Sequence, residues 1–463
     1  MIGILWMIGW VGVCNAQDWI IVEDIDVEGL HRTREAVIRR EIPFAPGDTV
    51  ALAELPKKVT EGERQLMNTG LFNSAKITYA NWEGATQRVK LRIDLVETWY
   101  LYPVPIFELA DRNFNVWWNE QGRSLERINI GLDFSHYNFT GWRDKFSAEF
   151  KYGYTRSYSV DYSLPYINPA GTLGFSGAIT YAKNREINYA TEDNKQQFFS
   201  DPGRFLLSRF RVEGGLTWRP ELYGQHEISL GFFQNRIDPE IASESFNPAY
   251  FGQGRDLQRY FRLAYNYTYD FRDIRAYPWE GFLVSGTLER SGLGFFNDRN
   301  ALVLRLVGEK YFPFGERWSL GTVARGKLSL IRQPQPYDDN RALGFCNDNL
   351  RGYAYYIIDG LDMLVVQTSL RYELWNGDID FGKWVPLEAF RYLPFRFNLS
   401  MNNDVGVAND PFNAYPNPLN RRALWGGGFG LDFIFYYDFV FSLQYSRNIL
   451  GEGGFFLDFS AGF

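Results

Sequence analysis

From Trp99 to Phe463 the chain alternates apolar and polar residues with a period of two almost without interruption, and that pattern limits what it can become. Phe146, Ala148, Phe150 and Tyr152 share one face of an extended segment; Lys145, Ser147, Glu149 and Lys151 share the other. Tyr265, Tyr267 and Tyr269 alternate with Asn266, Thr268 and Asp270. At the end, Phe455, Leu457, Phe459, Ala461 and Phe463 alternate with Phe456, Asp458, Ser460 and Gly462. These runs are roughly twice the ~5–6 residues of a strand in a soluble sheet. Long strands, apolar on one face and polar on the other, with aromatic ends, predict an all-β transmembrane barrel. Such a sheet closes because lipid offers no partner to an unpaired edge. About sixteen antiparallel strands can be counted, with short links (around Asn168, Arg219 and Pro313) alternating with long polar ones (184–204, 237–255, 333–360). The link Asn376–Pro394 is too long for a turn on the short side.

Composition supports this class and excludes others. Aromatic residues make up 18% of the chain and charged residues 22%, with a mean hydropathy of -0.30. No run of ~18 apolar residues is present, so no helix can cross a bilayer. The net charge of -7 gives no basic field for nucleic acid. The first sixteen residues read as a signal peptide: Ile2–Val13 is apolar, and Cys14-Asn15-Ala16 precedes Gln17. Val13 stands where a lipidated cysteine would need Gly or Ala. With the leader removed, Cys346 is the one thiol left, so no intrachain disulfide can form. His31, His136 and His226 have no metal-ligand spacing, and no cofactor is expected. Ser135 and His136 are strand neighbours on opposite faces, which is no nucleophile–base pair, and the protein is not read as an enzyme.

Residues 18–97 carry a different pattern, β-α-α-β-β. A strand holding Ile20, Val22, Ile25 and Val27 ends at Gly29. Thr33 is expected to cap a helix that Pro43 stops, and Pro46-Gly47-Asp48 makes a turn. A second helix carries Leu52, Leu55, Val59, Leu66 and Met67, with Pro56 in its first turn and Gly70 at its end. Strands Ala75–Ala80 and Arg88–Val96 follow, joined around Glu83-Gly84.

This segment resembles a polypeptide-transport-associated (POTRA) domain through Val27-Glu28-Gly29-Leu30, Thr33–Arg40, Pro46-Gly47-Asp48 and Asn68-Thr69-Gly70-Leu71-Phe72. The remainder, 98–463, resembles the BamA/TamA superfamily of outer-membrane assembly and translocation barrels. Three runs carry that likeness: Leu350-Arg351-Gly352-Tyr353 in the longest loop, Asp404-Val405-Gly406 on a later strand, and Asp270-Phe271-Arg272-Asp273 followed by Pro278 and Gly281. The terminal Phe463 matches the aromatic end of barrel precursors.

The resemblance implies a loop folded into the lumen and anchored by Arg351 on Asp404. Gly352 would permit a tight turn, Tyr353 would wedge against the wall, and Gly406 completes the motif. Arg371 and Glu373 share a face and are expected to pair with each other or to disturb that anchor. The resemblance also implies a gate where the first strand meets the last. Pro103 and Pro105 remove backbone donors from the first strand, and Gly451, Gly453 and Gly454 loosen the last. A linker and a turn account for the same residues. In the POTRA-like segment, Lys76, Ile77, Thr78 and Tyr79 would form an edge strand open to an added strand, with Lys76 either a contact or a guard against aggregation. The family implies a Gram-negative outer membrane, a periplasmic POTRA domain, membrane lipid, unfolded client polypeptides, and periplasmic or lipoprotein partners. The expected function is insertion or translocation of polypeptides by a specialised or accessory member, since a single POTRA copy is read. A dedicated export pore and a non-catalytic scaffold barrel are the alternatives.

Overall fold

The computed structural model describes residues 19–83, 86–109, 116–168, 170–296, 298–345, 348–380, 382, 392–412, 417–435 and 439–461. The expected leader with Cys14, Cys346, Pro169, Gly84 and Phe463 lie outside them. The chain divides into two compact units, Met1–Glu97 and Thr98–Phe463.

The first unit is a four-stranded sheet backed by two helices. Its elements are β1 (Trp19–Glu28), α1 (Glu35–Glu41), β2 (Thr49–Ala51), α2 (Leu55–Met67), β3 (Phe72–Glu83) and β4 (Arg88–Glu97), with sheet order β2-β1-β4-β3. The alternation in β1 and β4 buries Val22, Ile25, Val89, Leu91 and Ile93 against the helices, which contribute Val37, Ile38, Leu55 and Leu66. Gly62 lets α2 lie close to the sheet, since a Cβ there would stand 2.9 Å from Ile77 Cδ1. Gly29 takes φ +85°, and a Cβ on it would meet the Leu95 carbonyl oxygen at 1.9 Å.

Three expectations for this unit change. The short β2 was not anticipated, and Leu52 precedes α2 rather than lying on it. Thr33 does not cap α1. Arg34 holds that position without a side-chain hydrogen bond to the helix cap, and the Thr33 amide donates to Glu97 at 2.8 Å. Burial pushes the Glu97 pKa up, but hydrogen bonds from Thr33, Arg32 and His31 outweigh it and hold the carboxylate below its ordinary value.

The second unit is a sixteen-stranded antiparallel sheet. In chain order its strands begin with β5 (Leu101–Leu109), β6 (Ile128–Tyr137), β7 (Lys145–Gly153), β8 (Thr155–Leu164) and β9 (Leu173–Asn184). A separate hairpin, β10 (Glu186–Glu192) and β11 (Lys195–Ser200), interrupts the series. The sheet resumes with β12 (Leu207–Trp218), β13 (Gly224–Ile237), β14 (Leu257–Arg272), β15 (Gly281–Ser291), β16 (Ala301–Phe314) and β17 (Trp318–Ser329). After a second small pair, β18 (Arg341–Leu343) and β19 (Ile358–Asp359), it ends with β20 (Asp362–Asp380), β21 (Tyr392–Asn409), β22 (Leu424–Phe435), β23 (Phe439–Asn448) and β24 (Gly453–Ala461). Each strand pairs with the next in this series, leaving β5 and β24 at the two ends of the order.

The period-two pattern sorts side chains as expected of a barrel wall. Leu132, Phe150, Val160, Ile179, Leu230, Leu306, Leu364 and Phe429 are exposed on the outer face, whereas Asn235, Lys327, Ser369, Asn398, Asn402 and Asp432 are buried. The overlong link before β21 resolves into a hairpin: β20 and β21 run 19 and 18 residues and stay paired to Asp380 and Tyr392. One rim carries the short turns, such as 219–223, 273–280 and 315–317. The other carries the long loops. The hairpin β10–β11 and loop 238–256 build a cluster around Ile187, Leu206, Ile241, Tyr250 and Phe251, with Tyr337 packed on it.

Candidate functional site

Alternation along β21 puts Asp404 and Gly406 on the inner face and Val405 outside. Asp404 has no solvent exposure. It accepts from Arg351 Nη1 at 2.7 Å, from the Arg351 amide at 3.1 Å and from Gln367 Nε2 at 3.2 Å. Three donors on one carboxylate answer the need of a buried charge for both a countercharge and hydrogen bonds. Arg351 Nη2 reaches Ser369 Oγ at 3.3 Å, and that hydroxyl donates to Asn402 Oδ1 at 2.7 Å. Gln367 also donates to the Asn349 carbonyl, so the loop is held just ahead of Arg351 as well.

The rest of the motif closes against β22 and β23. Gly352 takes φ +83°, and a Cβ there would meet the Arg447 backbone at 3.0 Å. Its carbonyl accepts from Asn448 Nδ2 at 2.8 Å. Tyr353 is buried among Leu343, Leu350, Ile358, Val365 and Leu424, and its hydroxyl donates to the Trp425 carbonyl at 3.0 Å. Gly406 leaves room for Leu350, and Gly426 leaves room for the loop backbone: a Cβ on Gly426 would lie 1.8 Å from the Arg351 oxygen. Gln367, Ser369, Gly426 and Asn448 belong to this site although no sequence motif marks them.

Arg371 takes no part in it and does not pair with Glu373. Its Nη1 donates to the Pro278 carbonyl at 2.6 Å, while Glu373 lies 3.6 Å from Arg396. The turn signature is a built structure of its own. Asp270 receives Arg272 at 2.8 and 2.9 Å, Arg272 Nη1 bonds Glu309 at 2.9 Å, and Asp273 Oδ1 accepts from the Trp279 and Glu280 amides at 2.9 and 3.2 Å. Gly281 takes φ +101°, where a Cβ would strike the Phe271 carbonyl at 2.0 Å.

Among the described residues no ladder joins β5 to β24. The Tyr137 amide donates to the Tyr100 carbonyl at 2.8 Å, and the register runs Leu101↔His136, Pro103↔Phe134, Pro105↔Leu132. Antiparallel ladders alternate bonded and non-bonded pairs, so even residues of β5 bond β6 and odd residues face the open edge. Pro103 and Pro105 therefore remove donors from that edge and cost the inner ladder nothing. By the same rule the Asn448 amide on the Glu452 carbonyl leaves the odd residues of β24 facing outward. Gly453 and Gly454 stand in this strand, paired with Arg447 and Ser446.

In the first unit the sheet order places β3 at an edge. Lys76 lies across from Asp94, and Thr78 across from Arg92. Tyr79 and Trp82 are exposed and meet edge to face at 5.7 Å. The edge is not bare: the Ile77 amide donates to Glu63 of α2 at 2.8 Å.

The comparison that decides the family is with the Omp85 superfamily domain, which matches residues 138–374, just over half of the chain. The chain belongs to the Omp85 superfamily. Residues 20–98 match POTRA, described as a surface antigen variable number repeat. This Omp85 chain resembles BamA from Haemophilus ducreyi lacking POTRA domains 1-3, with a TM-score of 0.54 at 13% identity over 95% of this chain and 84% of that one. It resembles CdiB from Acinetobacter baumannii (TM-score 0.51, 13% identity, 96% and 74% covered) and CdiB from Escherichia coli (0.51, 10%, 98% and 92%). At these identities the likeness is one of fold. Among curated proteins the sequence finds no significant match. Omp85 barrels are non-enzymatic assembly or transport proteins of the outer membrane, and their POTRA domains are periplasmic.

Proposed function

We propose that this Omp85 barrel inserts client polypeptides into the outer membrane of a Gram-negative bacterium through the seam between β5 and β24, with its POTRA domain in the periplasm. The observation that carries the reading is that, among the described residues, β5 and β24 form no ladder with each other, and the β5 edge lacks donors at Pro103 and Pro105. An extended client would add to the outward-facing groups of β24 first, because that edge keeps its donors and acceptors. Burial of apolar strand faces in lipid and completion of backbone hydrogen bonds would drive the transfer. The Arg351 loop would hold the wall next to β24 in register during it. At the POTRA edge, a client or partner strand would have to displace Glu63 from the Ile77 amide.

A second reading is export of a dedicated partner through the lumen, with the Arg351 loop as plug; its support is the loop's attachment to inward-facing Asp404. Quantitative outer-membrane proteomics after depletion separates the two. Loss of many barrel proteins is the result expected of a general insertase, and loss of one or a few names a dedicated client. An unchanged barrel population, with a secreted protein retained inside the cell, would replace insertion by export.

A further inference from the structure

The turn between β14 and β15 does more than reverse the chain. Tyr277 at its centre is buried, and its hydroxyl donates to Asp432 Oδ2 on β22 at 2.8 Å. Five strands separate β14 from β22 in the sheet order, so this contact bridges distant parts of the sheet. Asp432 is itself buried and accepts from Ser442 Oγ of β23 at 2.6 Å. The Arg371 guanidinium of β20 lies 4.1 Å from the centre of the Tyr277 ring while bonding the Pro278 carbonyl, and Ser319 Oγ of β17 donates to the Trp279 carbonyl at 2.6 Å. Ile434 and Val440 complete an apolar contact with Tyr277, flanked by Ala276 and Trp279. The Asp270–Arg272 fork and Asp273 hold the turn in shape from behind. Burial keeps the Tyr277 phenol well above its ordinary pKa, so it remains a donor.

Two of the strands reached this way, β22 and β23, are also reached by the Arg351 loop from the other rim. Asp404, the Trp425 carbonyl and Asn448 anchor that loop on β21, β22 and β23. The arc leading to the open β24 edge is fastened at both rims, by two segments that come from elsewhere in the chain.

We propose that the 273–280 turn is a second latch, in which Tyr277 is a positioning residue that holds the short-turn rim of β22 and β23 and so limits how far the β24 edge moves. This rests on the seam reading above. The test uses the full chain in lipid nanodiscs. Tyr277→Phe deletes one hydroxyl and keeps the ring, and Asp432→Asn serves if the first variant does not fold. Amide hydrogen exchange across β22–β24 should rise roughly tenfold at the short-turn rim, with loop 348–353 unchanged. Insertion of a urea-unfolded eight-stranded outer-membrane barrel into proteoliposomes should change in rate with it. Unchanged exchange in a folded variant, or faster exchange confined to 273–280, would overturn the latch. Faster exchange at β22–β24 with an unaltered insertion rate would leave the latch standing and remove the seam from the mechanism.

Discussion

Asp404 is a full charge with no access to water, and such a group persists in a fold only when its partners are positioned beforehand. Arg351 supplies the countercharge, and its own amide and Gln367 supply the remaining bonds. Removing one partner of such a pair strands the other. Arg351→Ala and Asp404→Ala are each expected to lower barrel stability by about 2–4 kcal/mol. The double variant should cost less than their sum by about 1–3 kcal/mol, read as a coupling in heat-denaturation midpoints. Strict additivity would mean that the two residues act independently. The Leu-Arg-Gly-Tyr run and Asp-Val-Gly were legible in the sequence because each is a short, contiguous set of unusual residues. Gln367, Ser369 and Asn448 were not: a Gln, Ser or Asn on a lumen-facing position is ordinary, and only the register of β20–β23 brings these to the loop.

At the scale of the element, β5 shows how a local rule acts at a distance. A proline costs a ladder bond only where its nitrogen would have faced a partner. Here Pro103 and Pro105 both take the outward parity, so β5 pairs fully with β6 and offers its open edge few donors. Replacing both by Val restores two donors. The seam is then expected to gain about 1–2 kcal/mol, seen as a higher midpoint in heat-modifiability gels together with slower client insertion. A variant with an unchanged midpoint would show that β5 and β24 do not meet. The sequence placed two prolines in the first strand; which edge they weaken followed from a single amide–carbonyl pair, Tyr137 on Tyr100. In β3 the same kind of parity argument exposes the Ile77 amide, and there a helix carboxylate covers it.

On the scale of the whole molecule, the long loops add buried ionisable groups to a wall that is otherwise neutral outside and polar inside. Asp359 in loop 330–361 is the clearest case. Burial, and then the charge of Asp410, push its pKa up to about 6, against a hydrogen bond from Thr191 and the positive charges of Arg341 and Lys327. The folded state therefore favours the neutral acid more than an unfolded chain does, where the pKa is about 3.9. The stability from this group is complete below about pH 4 and is lost as pH rises through about 6, by roughly 1–3 kcal/mol. Amide exchange of the loop should quicken between about pH 4 and 6, and Asp359→Asn should flatten that dependence. A loop whose exchange shows no pH dependence beyond base catalysis would refute the assignment.

Alternation of period two is a property of neighbouring residues, so the chain alone determined that its larger part is a long-stranded sheet with one apolar and one polar face. The same holds for the POTRA pattern, whose helices and turns are marked by Pro43, Pro56, Gly47 and Gly70 within a few residues of where they act. What alternation leaves open is which inward residue meets which, because register and closure are set by every strand together. Thr33 illustrates the limit: its local context fits a helix cap, yet Glu97, 64 residues on, takes its amide. Arg371 lost its expected neighbour Glu373 to a turn 93 residues back. Tyr277 and Asp432 stand 155 residues apart, and no spacing rule connects them. Only the packing of the 273–280 turn against β22 and β23 decided that pair, and with it the fastening of the strands beside the seam.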